Sequence, residues 1–177
     1  MSEQVIYAYI SRLDYCNSVL AGVSGQLLHR LQVIQNAAAR LVTGVRKYER
    51  MTPVLRSLHW LPVRHRITFK TAVIMFKCLH GQAPLYLTEL CRPISSDTGH
   101  RHLRSAFTHR LIIPRKKTSY GDCSFSVHRP FVWNSLTNDL QLSDRSLETF
   151  RSRLKAFLFL TLITRQSICC CARIWAI

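Results

Sequence analysis

Apolar residues at spacings of three and four, in runs closed by glycine, fill the first half of this sequence and limit it to helical folds. Ile6, Tyr9, Ile10, Leu13, Cys16 and Leu20 recur with the period of an amphipathic helix, Ser11, Arg12, Asp14 and Asn17 take the other side, and Gly22 ends the run. A second helix is expected from about Gln26 to Thr43, with Leu27, Leu28, Leu31, Ile34, Ala38, Leu41 and Val42 on one stripe and Gly44 as a left-handed cap. Joined by a short glycine-containing turn, the two predict an antiparallel helical hairpin. Thr52 and Pro53 read as N-cap and first residue of a short helix to about Trp60. Pro62 opens a longer helix to about His80, stopped by Gly81, whose Val63, Ile67, Val73, Ile74 and Cys78 amid Phe69 and Phe76 suggest a central position. Leu31 and Ile67 are therefore expected in the core, and Gln32 and His80 outside it.

The second half is less periodic. Pro84 starts a short helix through Leu90, and beyond Cys91 the segment from Arg92 to Lys117 reads as a long loop or weak hairpin, with Arg110 to Pro114 its one strand-like stretch. From Tyr120 to Leu136 the pattern fits helix and strand equally. The last helix is clear: Ser146 as cap, Glu148 in the first turn against the positive end of the dipole, and Leu147, Phe150, Leu154, Phe157 and Leu158 on one face. The reading is a mainly α fold, a small helical domain with a hairpin, a central helix and a basic loop-rich segment with room for short β elements. It divides at 1–91, 92–160 and a poorly ordered tail, 161–177.

Charge narrows the partners. Twenty-five Lys and Arg against nine Asp and Glu give a net charge of +16, which favours polyanions, nucleic acid first among them. No acid occurs between Glu49 and Glu89, where Arg50, Arg56, Arg64, Arg66, Lys70 and Lys77 lie, nor between Asp97 and Asp122, where Arg101, Arg104, Arg110, Arg115, Lys116 and Lys117 lie. Arginine and lysine contact phosphate, and Trp60, Phe69, Phe107 or Tyr120 could stack on unpaired bases. The candidate nucleic-acid surface is accordingly Arg64, Arg66, Lys70, Arg101, Arg104, Arg110, Arg115, Lys116, Lys117 and Tyr120. For Trp60 and Phe69 the plainer reading is a place in the core. No secretory signal precedes the first helix, and the apolar stretch Ala156 to Thr164 is about half of what a membrane span needs. Seven cysteines, an odd number, fit a reducing compartment, so an intracellular protein of nucleus or cytoplasm is expected.

Several segments occur in an order more specific than any one of them: SRLDYCNSVL from Ser11, LQVIQNAAARLVTG from Leu31, TPVLRSLHWLPVRHRITFK from Thr52, CLHGQAPLYLTEL from Cys78, SYGDCSFSV from Ser119, PFVWNSL from Pro130 and FRSRLKAFLF from Phe150. The series resembles the region that follows the polymerase, thumb-proximal and carboxy-terminal, in LINE-type (non-LTR) retrotransposon reverse transcriptases, over roughly Val5 to Phe159. The resemblance implies a helical region that helps hold template RNA and target DNA beside an upstream reverse-transcriptase domain.

That resemblance implies no catalysis here. Polymerases of the family use aspartates holding two metal ions, including an adjacent pair, and none of the nine acids of this sequence neighbours another. No nucleophile-elbow pattern surrounds a serine, and Cys123 near His128 is a weak thiol–base candidate. Cys91, His100, His102, His109 and Cys123 match no zinc-finger spacing, and the Cys169–Cys171 triplet has no second pair, so neither a metal nor a cofactor is expected. The competing reading is a decayed transposon reading frame or a helical protein-interaction module whose charge is incidental.

Overall fold

The computed structural model describes residues 20–94, 110–114, 124–141 and 146–172, with Ser11 and Tyr15. The fold is mainly α: seven helices among the described residues, α1 (Gly25–Thr43), α2 (Met51–Ser57), α3 (Val63–Leu79), α4 (Leu85–Thr88), α5 (Phe125–Asn134), α6 (Asn138–Gln141) and α7 (Leu147–Ala172). The expected first helix, and with it the hairpin, lies outside the described residues. Two compact units form, one holding Ser24–Arg66 and the C-terminal helix from Ser152, the other Ile67–Arg151. The division thus falls inside α3, not at Cys91, and α7 runs past Thr161 without a break in secondary structure.

In the first unit, the buried face of α1 is not the expected line of large side chains. Leu27, Ile34 and Leu41 are exposed, Leu41 at 78%, while Gln35, Ala38 and Ala39 are buried one position further round the helix. Small residues explain the choice. Without side chains beyond a methyl, Ala38 and Ala39 admit Val54, Leu55 and Trp60 to one cluster, with Val42, Val45, Met51 and Leu58 packed around it. Leu31 is only half-buried.

Polar groups fix the same face. Gln35 Nε2 donates to the carbonyl of Leu61 (2.9 Å), and Gln32 Oε1, itself held by Gln32 Nε2 donating to Asn36 Oδ1, accepts the N–H of Val63 (2.9 Å). That N–H is among the first of α3, which helical hydrogen bonds leave unsatisfied. Gln32 therefore caps α3 from a neighbouring helix, a role that its expected place outside the core did not suggest.

Helix ends follow backbone chemistry. Gly44 (φ 68°) takes the left-handed conformation expected of it, and Gly81 (φ 65°), expected as a helix stop, takes it too. After Gly81, Gln82 N–H reaches Lys77 O at 2.8 Å and Gly81 N–H reaches Cys78 O at 3.4 Å, the bond pair of a Schellman ending. Helix α2 ends in the same way but without glycine: His59 sits at φ 54°, with Trp60 N–H on Leu55 O (2.8 Å) and His59 N–H on Arg56 O (2.9 Å). It stops three residues before the expected Trp60. It also starts earlier, at Met51 with Arg50 before it, so Thr52 and Pro53 fill the first turn.

The second unit is built on aromatic rings. Phe76 stacks on Phe150 (centroids 4.4 Å), Trp133 tilts against Phe150 (6.0 Å), and Phe76 also stacks on His80 (3.8 Å), whose Nδ1 lies 2.8 Å from Phe76 O. His80 is thus part of the packing, against expectation, while Ile67 is buried as expected. The ambiguous stretch around residue 130 is helix α5, with Pro130 buried inside it. The strand-like segment at Arg110 makes a single antiparallel bridge, Pro93 to Leu111, through Ile94 N–H to Arg110 O (3.1 Å) and Ile112 N–H to Arg92 O (2.9 Å). Leu111 turns its own N–H and carbonyl to Asn134, whose amide accepts one and donates to the other at 2.9 Å each. Ser146 Oγ accepts from Thr149 N–H (3.3 Å) at the start of α7, and Phe150 of the expected face is buried here, as Leu154 and Leu158 of that face are in the first unit. Among the described residues, no helix is long and apolar enough to cross a membrane.

Replacing Gln35 by Ala strands the Leu61 carbonyl and should lower stability by about 1–3 kcal/mol, as for other buried acceptors that lose a donor. Urea denaturation reads the change, and a midpoint equal to the parent's would contradict the role given to Gln35. His59→Gly has the opposite sign. Relief of about 1–2 kcal/mol of left-handed strain exceeds the roughly 0.5–1 kcal/mol entropic penalty of glycine, so a thermal melt should move up slightly, whereas a clear drop would show that the imidazole makes contacts stronger than that strain.

Candidate nucleic-acid interface

The first unit concentrates the charge. Between Ser24 and Arg66 eight Lys and Arg face one carboxylate, Glu49. Six of them, Arg30, Arg46, Lys47, Arg50, Arg56 and Arg64, are exposed. Three of these flank a single aromatic residue: in the turn from α1 to α2, Arg46, Lys47, Tyr48, Glu49 and Arg50 are all exposed, and Tyr48 shows 94% of its surface to solvent.

The turn is held from both ends. Gly44 N–H bonds Arg40 O (2.8 Å) and Thr43 Oγ1 donates to Ala39 O (2.8 Å), which closes α1. Val45 and Met51 are packed against the core cluster, so the five residues between them project outward as one loop. Within it, Glu49 N–H reaches Arg46 O (3.2 Å), and Arg40 folds back to donate from Nη2 to Lys47 O (3.2 Å). The result is a short, anchored turn that presents cations on both sides of an open aromatic ring. Such rings stack on unpaired bases, and the flanking guanidinium and ammonium groups reach phosphates.

The residues expected from sequence are distributed differently. Arg64 and Lys70 are exposed on α3 and Arg66 is half-buried. Arg66 and Lys70 are one turn apart and share a side of the helix, but Arg64 does not. All three make interactions within the chain. Arg110 is exposed, its carbonyl taken up by the bridge to Ile94. Arg101, Arg104, Arg115, Lys116, Lys117 and Tyr120 lie outside the described residues, as does Phe107. Trp60, 8% exposed, belongs to the core and offers no face to a base, and Phe69 is half-buried. Tyr48 and its basic neighbours were missed. The signal available was a Lys–Tyr pair between arginines just after a glycine helix stop.

Of the weaker thiol–base pair, His128 alone is among the described residues. His128 is half-buried and held below its usual range, by burial first and by the adjacent Arg129 second, while Cys123 lies outside the described residues. Of the five dispersed Cys and His considered for zinc, Cys91 alone is described. It contacts Met75 Sδ (3.8 Å) and the Leu87 carbonyl (3.2 Å). No group of three or more His, Cys, Asp or Glu that could hold a metal ion forms among the described residues. Compared with known protein families, with curated proteins and with solved structures, the chain matches none.

Proposed function

We propose that this chain corresponds to the post-polymerase, thumb-proximal segment of a LINE-type retrotransposon reverse transcriptase, and that it binds RNA or DNA without sequence preference and without catalysing a reaction itself. The observation that carries the binding reading is the anchored turn with Tyr48 exposed between Lys47 and Arg50. The order of the sequence segments supports the family, and the net charge of +16 supports a polyanionic partner. Phosphate contacts and base stacking distinguish nucleic acid from other polyanions but read no sequence.

A second reading, a helical protein-interaction module, draws on the outward line of Leu27, Ile34 and Leu41 along α1. The two respond oppositely to salt. Single-stranded RNA held by five phosphate contacts gives a slope of log affinity against log salt of about −3.5. Fluorescence anisotropy with a short single strand should show that steep loss. Arg46, Lys47 and Arg50 changed together to Ala should make the slope shallower by about 2, while Tyr48→Ala should weaken binding by about 1–3 kcal/mol and leave the slope alone. An unchanged slope in the triple variant would move the site elsewhere, Arg115, Lys116 and Lys117 being next to test. A flat salt response in the parent would favour the interaction module.

The absence of an adjacent aspartate pair leads to a further expectation. With Mg2+ or Mn2+, the purified protein should extend no primer on an RNA template. Template-dependent incorporation that survives stringent washing would contradict the non-catalytic reading.

A further inference from the structure

A cleft in the first unit takes no part in the basic turn. Thr52, Leu55 and Arg56 of α2 line it, with Trp60 and Pro62 from the connection to α3 and Phe159 and Leu162 from α7. Residues three and four apart share a side of a helix, so each helix gives the cleft one face. Leu55 and Trp60 are core residues, Phe159 and Leu162 are half-buried, and Arg56 is exposed. No residue from Arg46 to Arg50 reaches it.

Size and polarity select an occupant. The cleft opens to solvent and has a volume of about 40 Å³. A water-sized group takes about 10–15 Å³, so there is room for roughly three. Water is held poorly there, because a bound water needs two to four polar partners and the walls are almost wholly apolar. An apolar group that displaces such water gains free energy. A compact branched group of about four carbons matches the space, whereas a nucleobase is far too large.

Charge selects further. An arginine that borders an apolar cleft lays its stem along the wall and keeps its guanidinium in water, at the mouth. That planar fork matches a carboxylate. Helix α2, MTPVLRS, carries no acid of its own to compete for it. A peptide in the cleft would bring backbone N–H and carbonyl groups that apolar walls leave without partners. A free acid brings one polar group, and Arg56 meets it.

We propose that this cleft binds a short branched-chain carboxylate as a free small molecule, its apolar end among Leu55, Trp60, Phe159 and Leu162 and its carboxylate on Arg56. The site is independent of the nucleic-acid reading and stands or falls without it.

Titration of the 15N-labelled full chain with 3-methylbutanoate at constant ionic strength, followed by NMR, tests the site. Saturable shifts should appear on the Trp60 indole N–H and on the amides of Arg56 and Leu162. The Kd should be about 1–10 mM, the scale set by burying four carbons beside one exposed ion pair. Arg56→Gln, a change at an exposed position, should weaken binding about fivefold, and Arg56→Lys should keep most of it. The uncharged 3-methylbutanamide should bind the parent about as weakly as 3-methylbutanoate binds the Arg56→Gln chain, and acetate, which lacks the apolar body, should give no saturable shift. Equal responses to acetate or to the amide, shifts confined to Arg46–Arg50, or no saturation would overturn the proposal. Clearly tighter binding by an acetylated peptide containing a Leu–Glu pair would give the cleft to a protein partner and overturn it as well.

Discussion

Proline has no N–H, so between the Leu61 carbonyl and the Val63 N–H the chain carries no donor. Gln35 and Gln32 of α1 meet those groups from one helix face, one as donor and one as acceptor. A glutamine side chain holds both kinds of group, and residues three apart on a helix lie together, which is why two glutamines can do this. Each bond contributes on the order of 1 kcal/mol net, but leaving either buried group unmade costs more. The consequence is geometric. The start of α3 and the buried orientation of α1 are set by the same two side chains, and with α1 so turned the alanines face α2 and Trp60.

Those bonds also explain which parts of the fold were legible in the sequence. Gly44 and Gly81 announced helix ends because a left-handed residue favours glycine whatever its surroundings. The end of α2 did not announce itself, since His59 is held left-handed by its own bond to Arg56, by the bond from Trp60 N–H to Leu55 and by the burial of Trp60. The buried face of α1 was misjudged because size was weighed and polarity was not. A glutamine that is 0% exposed reads as surface until its partner, Leu61, is known. Likewise, Leu111 gave the strand-like signal at Arg110 to Pro114, but its N–H and carbonyl are satisfied by one side chain, Asn134, so no strand forms there.

The site was legible as charge and illegible as geometry. Counting acids placed the start of a basic window after Glu49 and so cut the turn of Arg46 to Arg50 in two, discarding its aromatic residue. A single carboxylate in an exposed turn does little to cancel three cations around it, because exposed charges interact weakly in water. The aromatic residues that sequence proposed for stacking included Trp60, whose ring is needed where α2 ends. In the second unit, Met75 and Cys91 are separated by a helix stop and the short helix α4, and only the fold brings their sulfurs to 3.8 Å.

The central functional claim is that the turn between α1 and α2 touches bases as well as phosphates. Photo-crosslinking of the full chain to a single-stranded oligonucleotide carrying a photoreactive pyrimidine, followed by peptide mapping, observes that contact without relying on a substitution. The account predicts adducts on the peptide that contains Tyr48, lost as salt is raised. Efficient crosslinking confined to other peptides, with Tyr48 unmodified at low salt, would contradict it.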